Sequence, residues 1–588
     1  MNRVLYILCC LVFCGVALGN AQEKEMDELW GGLNNNTVDK KTLFSEGNYA
    51  MFIHWGIYSE LAGVWQDTTY YGISEFLMDK RRAGIPVDVY KKQASKFNPE
   101  NFNPDEIVKL AKDAGMKYII ITAKHIDGFA MYDSKVSDFN IVKATPYGKD
   151  PMKALQEACE REGLGFGFYY AQYLDWTFPG GKGGPTKDSQ GNPVDFGYYF
   201  ENKCLPQVRE ITQNYGDLTL LWFDTPGQME RKYVEKLIAE VKKNQPNALV
   251  SGRVGHGLGD YNTFGDMHIP VLNVDGLWES VDVTNDSWGY TWYDKNWKTP
   301  KQILINTIST IARGGTYMLN IGPKGDGSIP KAVKASLESS GSWIKRHPSV
   351  IYGARPSPWK KAFSWGEVTV HSNTIQLCIF DWPENGKLEF YGLENKIVGA
   401  KLQGEDETLS VAYNQENKWT TVNLPFQKPE KLINVVTLEV KGQIKVDDKL
   451  VVDPVYKTEL PVEIANENNV TIEGKRWMEK FGEWKHVTQA HNWIKKESYI
   501  SWEVNVNQPG YYQTELRYAG NGRMVWKIES SHGEVVQNEQ GSSSIYTNFP
   551  MGWIKFDKAG VYELKVRLME GDTSSASLEG LYLEPIEF

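Results

Sequence analysis

Polar or ionisable side chains stand at the ends of five short apolar runs: His54 after MFI, Lys124-His125 after IIITA, Tyr169 within FGFYY, Asp224 after LLWF, and Arg253 after LVSG. A strand bundle fills its interior with apolar layers, so ionisable groups repeated at one rim are costly unless they bind something. A polyhydroxylated ring calls for such a rim, because its hydroxyls need donors and acceptors while an aromatic wall covers its apolar face. Cleavage at an anomeric carbon requires two carboxyl groups in addition. Asp224, directly after an apolar strand, is the first candidate; its alternative role is to cap a helix over the following TPGQMERKY. For the second, Glu279 in VDGLWES stands beside Trp278, where apolar burial would keep it protonated, and Asp266 in FGDMHIP competes with it. Metal chemistry has less support, since the chain carries no HxH or HExxH and its nine His are mostly isolated.

These residues need strands to hold them, and from about residue 45 to 345 helices alternate with short β-branched or aromatic runs, the pattern of parallel α/β architecture. In NPDEIVKLAKDAG, Asn103 caps, Pro104 takes the first helical position, Ile107, Leu110, Ala111 and Ala114 share a face, and Gly115 stops the helix. Strand KYIIIT follows. Asp150, Pro151 and Gly163 repeat the arrangement before GFGFYY, and LTLLWF, ALVSG and TYMLNI are further strands. Several such units over this length predict a TIM-like (β/α) barrel, with function at the strand C-terminal ends. The rival doubly wound sheet lacks a GxGxxG after its first strand. Beyond residue 350 the period shortens to alternating segments such as EVTVHS and TIQLCIF, then SYISWEVNV and VYELKVRLME. The expected organisation is a barrel over residues 22–350 and β-sandwiches over 351–455 and 456–588, the last a candidate carbohydrate-binding domain.

A chain of 588 residues fits such a division. Its formal charge of -10 argues against nucleic acid as a partner. The 20 Trp, 31 Tyr and 23 Phe suit sugar stacking as well as core packing. Residues 1–21 carry Arg3, an apolar run from Val4 to Leu18 and small residues up to Ala21, which predicts a cleaved signal peptide and export to a periplasmic or extracellular location without membrane insertion. Cys9, Cys10 and Cys14 would leave with it, and the widely spaced Cys159, Cys204 and Cys378 define no disulfide framework.

In FIHWGIYS, TAKHIDGFAMYDSK, GLGFGFYYAQYLDW, LLWFD, WESVDVTNDSWGY and LNIGPKGDGSIP, taken in order, the chain resembles the α-L-fucosidases of glycoside hydrolase family 29. The resemblance covers about residues 45 to 350 and implies an exo-acting, cofactor-free retaining hydrolase of fucosylated glycans on a TIM-like barrel. It implies Asp224 as the nucleophile and Glu279 as the acid/base, with Asp266 near another position the family uses. The two carboxyls of such a pair stand about 5 to 5.5 Å apart. It further implies that His54, Glu75, His125, Tyr169 and Arg253 line the fucose pocket, and that Trp288 covers the sugar methyl. Two departures bear on the sugar: Ile126 replaces the second His of the usual KHHDGF, and Phe76 follows Glu75 where Trp is common. They raise two alternatives, a glycosidase shifted to a related L-sugar such as α-L-galactose and a catalytically silent glycan-binding protein. A metal-dependent sugar isomerase on the same barrel is a third.

Overall fold

The computed structural model describes residue 28 and residues 39–405, 408–495 and 497–586. The proposed signal peptide lies outside them. Among the described residues no helix is long and apolar enough to cross a membrane. The chain forms two compact units: Met1–Pro270 with Val274–Pro356 and Met478–Trp484, and Val271–Asn273 with Ser357–Trp477 and Lys485–Phe588.

The first unit is built on eight strands: β1 Tyr49–Ile53, β2 Tyr118–Lys124, β3 Gly165–Ala171, β4 Leu220–Asp224, β5 Leu249–Val250, β6 Asn262–Thr263, β7 Trp278–Val283 and β8 Thr316–Ile321. All pair in parallel, in the order β5-β4-β3-β2-β1-β8-β7-β6. A single parallel bridge from Ser251 to Tyr261 joins the outermost strands, so the sheet curls into a barrel. β1, β2, β3, β7 and β8 are buried along their whole length, which explains why β1, β2, β3 and β8 read as largely apolar runs without alternation; β7 buries the polar Glu279, Ser280 and Asp282 as well.

Helices α1 Pro104–Asp113, α2 Pro151–Glu162, α3 Leu205–Asn214, α4 Arg231–Asn244, α5 Pro300–Ala312 and α6 Lys331–Arg346 fill the connections. Their ends follow local chemistry. Asn103 and Asp150 each accept two backbone N–H groups at the starts of α1 and α2, and Gly163 closes α2 with φ 70°, a conformation favourable to glycine. α4 begins after Glu230, six residues past Asp224, so Asp224 caps no helix. The turn after β4 is abrupt: Thr225 has φ 55°, a strained value for a β-branched residue, and it leaves the Asp224 carboxyl at the rim.

The second unit holds two hydrophobic cores. The first, drawn from Trp359 to Val440, fills the space between a four-stranded and a three-stranded antiparallel sheet. The second, from Val452 to Leu583, is shared by two six-stranded sheets. In this last core Trp493, Trp502 and Trp526 are buried at 2%, 0% and 0% exposure. Trp502 and Trp526 pack where strand alternation turns every second residue inward, and Trp493 reaches the same core from the loop after His491. Trp553 is largely exposed and packs against Tyr511 at 5.2 Å between ring centroids.

Candidate active site

The rim at the C-terminal ends of the barrel strands surrounds a cavity of about 550 Å³. His54, Glu75, His125, Trp222, Asp224, Arg253, Asp266 and Trp288 all line it. Asp224, the last residue of β4, is held by both carboxylate oxygens. Tyr169 OH donates to Oδ2 at 2.8 Å, and Arg253 Nη1 donates to Oδ1 at 3.3 Å. Burial pushes the Asp224 pKa above its usual range, while Arg253 and Tyr169 work against that shift and favour the carboxylate. Arg253 also donates through Nη2 to Asp266 and to the Phe264 carbonyl, so one guanidinium bridges the Asp224 and Asp266 carboxyls. Its own position is fixed by Trp222, whose ring lies 4.8 Å below it.

The aromatic groups form a continuous stack, His125 on Tyr169 at 5.1 Å and Tyr169 on Trp222 at 5.5 Å. Asn320 donates to the Trp288 carbonyl at 2.7 Å, which leaves its side-chain oxygen to accept from His54 Nδ1 at 2.8 Å. That geometry puts the His54 proton on Nδ1 and makes Nε2 an acceptor. Burial lowers the His54 pKa to about 4 and holds His125 well below its usual value, so both imidazoles are neutral near pH 7. Glu75 accepts from the Gly289 backbone and from Ser74 Oγ, and burial raises its pKa to about 7. The His125 Nδ1 and Thr225 Oγ1 atoms are buried without a hydrogen-bond partner. Both are polar atoms that a hydroxylated ligand would satisfy.

Glu279 sits elsewhere. It is the second residue of β7, paired in register with Thr316 at the start of β8, and so lies toward the N-terminal end of the barrel rather than in a strand-end loop. It is 0% exposed and outside the cavity lining, and it accepts hydrogen bonds from Trp222 Nε1 and from Thr263 Oγ1. This corrects the placement expected from WES. The carboxyl supports the floor of the pocket through Trp222. Asp266, three residues beyond β6, lines the cavity with Asp224 and is tied to it through Arg253.

Burial raises the Glu279 pKa from 4.5 to about 7. The folded chain therefore keeps this proton over a range where the unfolded chain has lost it. The resulting stabilisation is complete below pH ~4.5 and is lost as pH rises through ~7. In Glu279→Gln, which stays neutral, stability measured by denaturant titration should gain on wild type across that window by a total on the order of 3 kcal/mol. A difference between the two proteins that does not change with pH would show that folding does not displace the Glu279 pKa.

Trp222, Asn320 and Asp266 carry more of the site than the sequence reading assigned them. Trp222 had a usable signal, since alternation places it on the same inward face as Asp224, two residues later. Asn320 is the one amide within an otherwise apolar β8. Ile126 is fully buried and absent from the cavity lining, whereas Phe76 lines it and packs edge-on against Trp176 at 5.5 Å. Among the described residues no group of three or more His, Cys, Asp or Glu is disposed to hold a metal, and Cys159, Cys204 and Cys378 are buried free thiols.

A parallel barrel whose rim sets two carboxyls around one arginine, within aromatic walls and neutral imidazoles, is the framework of a glycoside hydrolase that grips a single sugar ring. The model of the alpha-L-fucosidase family matches residues 16–349, more than half of the sequence, and the chain belongs to that family. It is similar to the alpha-L-fucosidase from Vibrio sp. strain EJY3, with a TM-score of 0.76 and 28% identity over 92% of this chain and 97% of that one. The alpha-L-fucosidase isoenzyme 1 from Paenibacillus thiaminolyticus aligns with a TM-score of 0.61 and 28% identity, over 68% of this chain and 98% of its own. Tissue alpha-L-fucosidase of Rattus norvegicus is 26% identical over 409 residues, 64% of this chain and 84% of the relative.

Proposed function

We propose that this glycosidase releases terminal α-L-fucose from glycans with retention of configuration, by double displacement, using Asp224 as nucleophile and Asp266 as acid/base. The observation that carries this reading is that Asp224, with both oxygens held by Tyr169 and Arg253, faces a pocket it shares with Asp266. Asp224 attacks the anomeric carbon, and a fucosyl ester forms as the glycosidic bond breaks. Asp266 gives its proton to the departing oxygen and then takes one from the water that opens the ester. Glu279 is not assigned a proton-transfer role, because Trp222 stands between it and the pocket. His54 Nε2, His125, Glu75 and Arg253 bind the fucose hydroxyls, and Trp288 packs against the methyl group. The depth of the buried residues favours a chain end over an internal unit.

Of the two departures only Phe76 reaches the lining, where it keeps an aromatic face, and Ile126 lies outside it, which supports fucose over L-galactose as the sugar. Wild-type protein given an aryl α-L-fucoside should release α-L-fucose first, followed by NMR before mutarotation. First release of the β anomer would make the enzyme inverting, and turnover confined to an α-L-galactoside would reassign the sugar. Export rests on residues 1–21, and an intact N-terminus on the secreted protein would remove the cleaved-peptide reading.

A further inference from the structure

Met478–Trp484 belongs to the barrel unit although the rest of that unit ends at Pro356. Met478 and Trp484 line the same cavity as Asp224. The cavity grades from base to mouth. His54, Glu75, His125, Trp222 and Trp288 are at most 7% exposed, whereas Phe76, Asp79, Arg81, Arg82 and Trp484 are partly or largely open and Met478 is 39% exposed. The buried end suits the sugar ring that reacts, and the open end suits what that ring is attached to.

The segment is firmly seated. Phe481 packs on Tyr293 at 4.9 Å and on Tyr71 at 6.1 Å, and its carbonyl accepts from Ser287 Oγ at 3.5 Å. Phe481 has φ 40° and Gly482 φ 119°. A Cβ at Gly482 would stand 3.0 Å from Ile73 and 3.2 Å from the Asp286 carbonyl, so only glycine lets the turn approach this closely. Trp484 then donates its backbone N–H to Met267 Sδ at 3.3 Å, and Met267 is the neighbour of Asp266. The segment thus reaches the cavity on the side of the proposed acid/base. In a retaining hydrolase that is where the leaving group sits, because the acid must reach the departing oxygen.

We infer that Met478–Trp484 forms a leaving-group subsite, in which Trp484 and Met478 cover the apolar face of the sugar unit that carries the fucose. This rests on the proposed function and adds the chemical class of the leaving group, a pyranose rather than a small or simple aryl group. An indole beside a flexible thioether suits the apolar face of a pyranose. Of the charges at the mouth, Arg81 is committed to Asp79 through two hydrogen bonds, and Arg82 donates to the Tyr71 carbonyl. The occupant this leaves room for is a neutral sugar with hydroxyls directed at these groups.

The test compares α-L-fucosyl fluoride, whose leaving group fills no subsite, with a panel of neutral fucosyl disaccharides covering the common linkages. For Trp484→Ala and Met478→Ala, kcat/KM on the best disaccharide divided by that on the fluoride should fall about tenfold, and Trp484→Phe should recover most of the ratio. A parallel fall on both substrates would make the segment merely structural, and an unchanged ratio would place the leaving group elsewhere. Either result overturns the inference. Wild-type inactivity on both substrates would instead reject the fucosidase reading on which it depends.

Discussion

Asp224→Ala should lose roughly ten-thousand-fold or more in kcat on aryl α-L-fucosides while remaining folded, because the carboxylate proposed to form the ester, the one held by both Tyr169 and Arg253, is removed. The side chain is small, its neighbours Tyr169 and Arg253 have other anchors, and its removal opens a space below the anomeric carbon. Azide admitted to that space attacks from the face the carboxylate used. The product expected is β-L-fucosyl azide, identified by NMR. A variant that keeps a substantial part of wild-type kcat would remove Asp224 from the nucleophile position.

Asp266→Ala should show a different pattern, which separates it from both Asp224 and Glu279. On natural glycosides, whose leaving oxygen needs a proton, kcat/KM falls about a thousandfold; on a fucoside with an activated aryl group the first step survives and ester hydrolysis becomes limiting. Steady-state turnover then follows a burst, and azide opens the ester from the opposite face to give α-L-fucosyl azide. Glu279→Ala should yield no azide product, since its carboxyl accepts from Trp222 Nε1 and lies outside the cavity lining. If the α-azide came from Glu279→Ala and not from Asp266→Ala, the roles assigned to the two carboxyls would have to be exchanged.

The barrel was legible because its signals are local. Asn103-Pro104 and Asp150-Pro151 start helices where their side chains accept backbone N–H groups, and TYMLNI is the strand Thr316–Ile321 residue for residue. The rim was legible for the same reason: His54, His125, Asp224 and Arg253, which line the cavity, follow from where an apolar run stops, while Tyr169 lies within its strand and reaches the site through its hydroxyl on Asp224. Glu279 was misplaced because Trp278–Val283 is buried throughout, so neither alternation nor polarity marks which end of that strand it occupies. β6 has only two residues, too few to display a period, and this hid the strand end from which Asp266 projects. Trp484 meets Met267 across more than two hundred positions, a contact no local pattern encodes.

The measurement that bears most directly on the mechanism is to trap the fucosyl ester. Incubation with a 2-deoxy-2-fluoro-α-L-fucosyl donor, which slows ester hydrolysis more than ester formation, should inactivate the enzyme and add one fluorofucosyl mass to it. Proteolysis and mass spectrometry should then locate that mass on Asp224, in the LLWFDTPG segment. An adduct on any other residue, or normal turnover through a direct displacement with no adduct under the same conditions, would contradict the account.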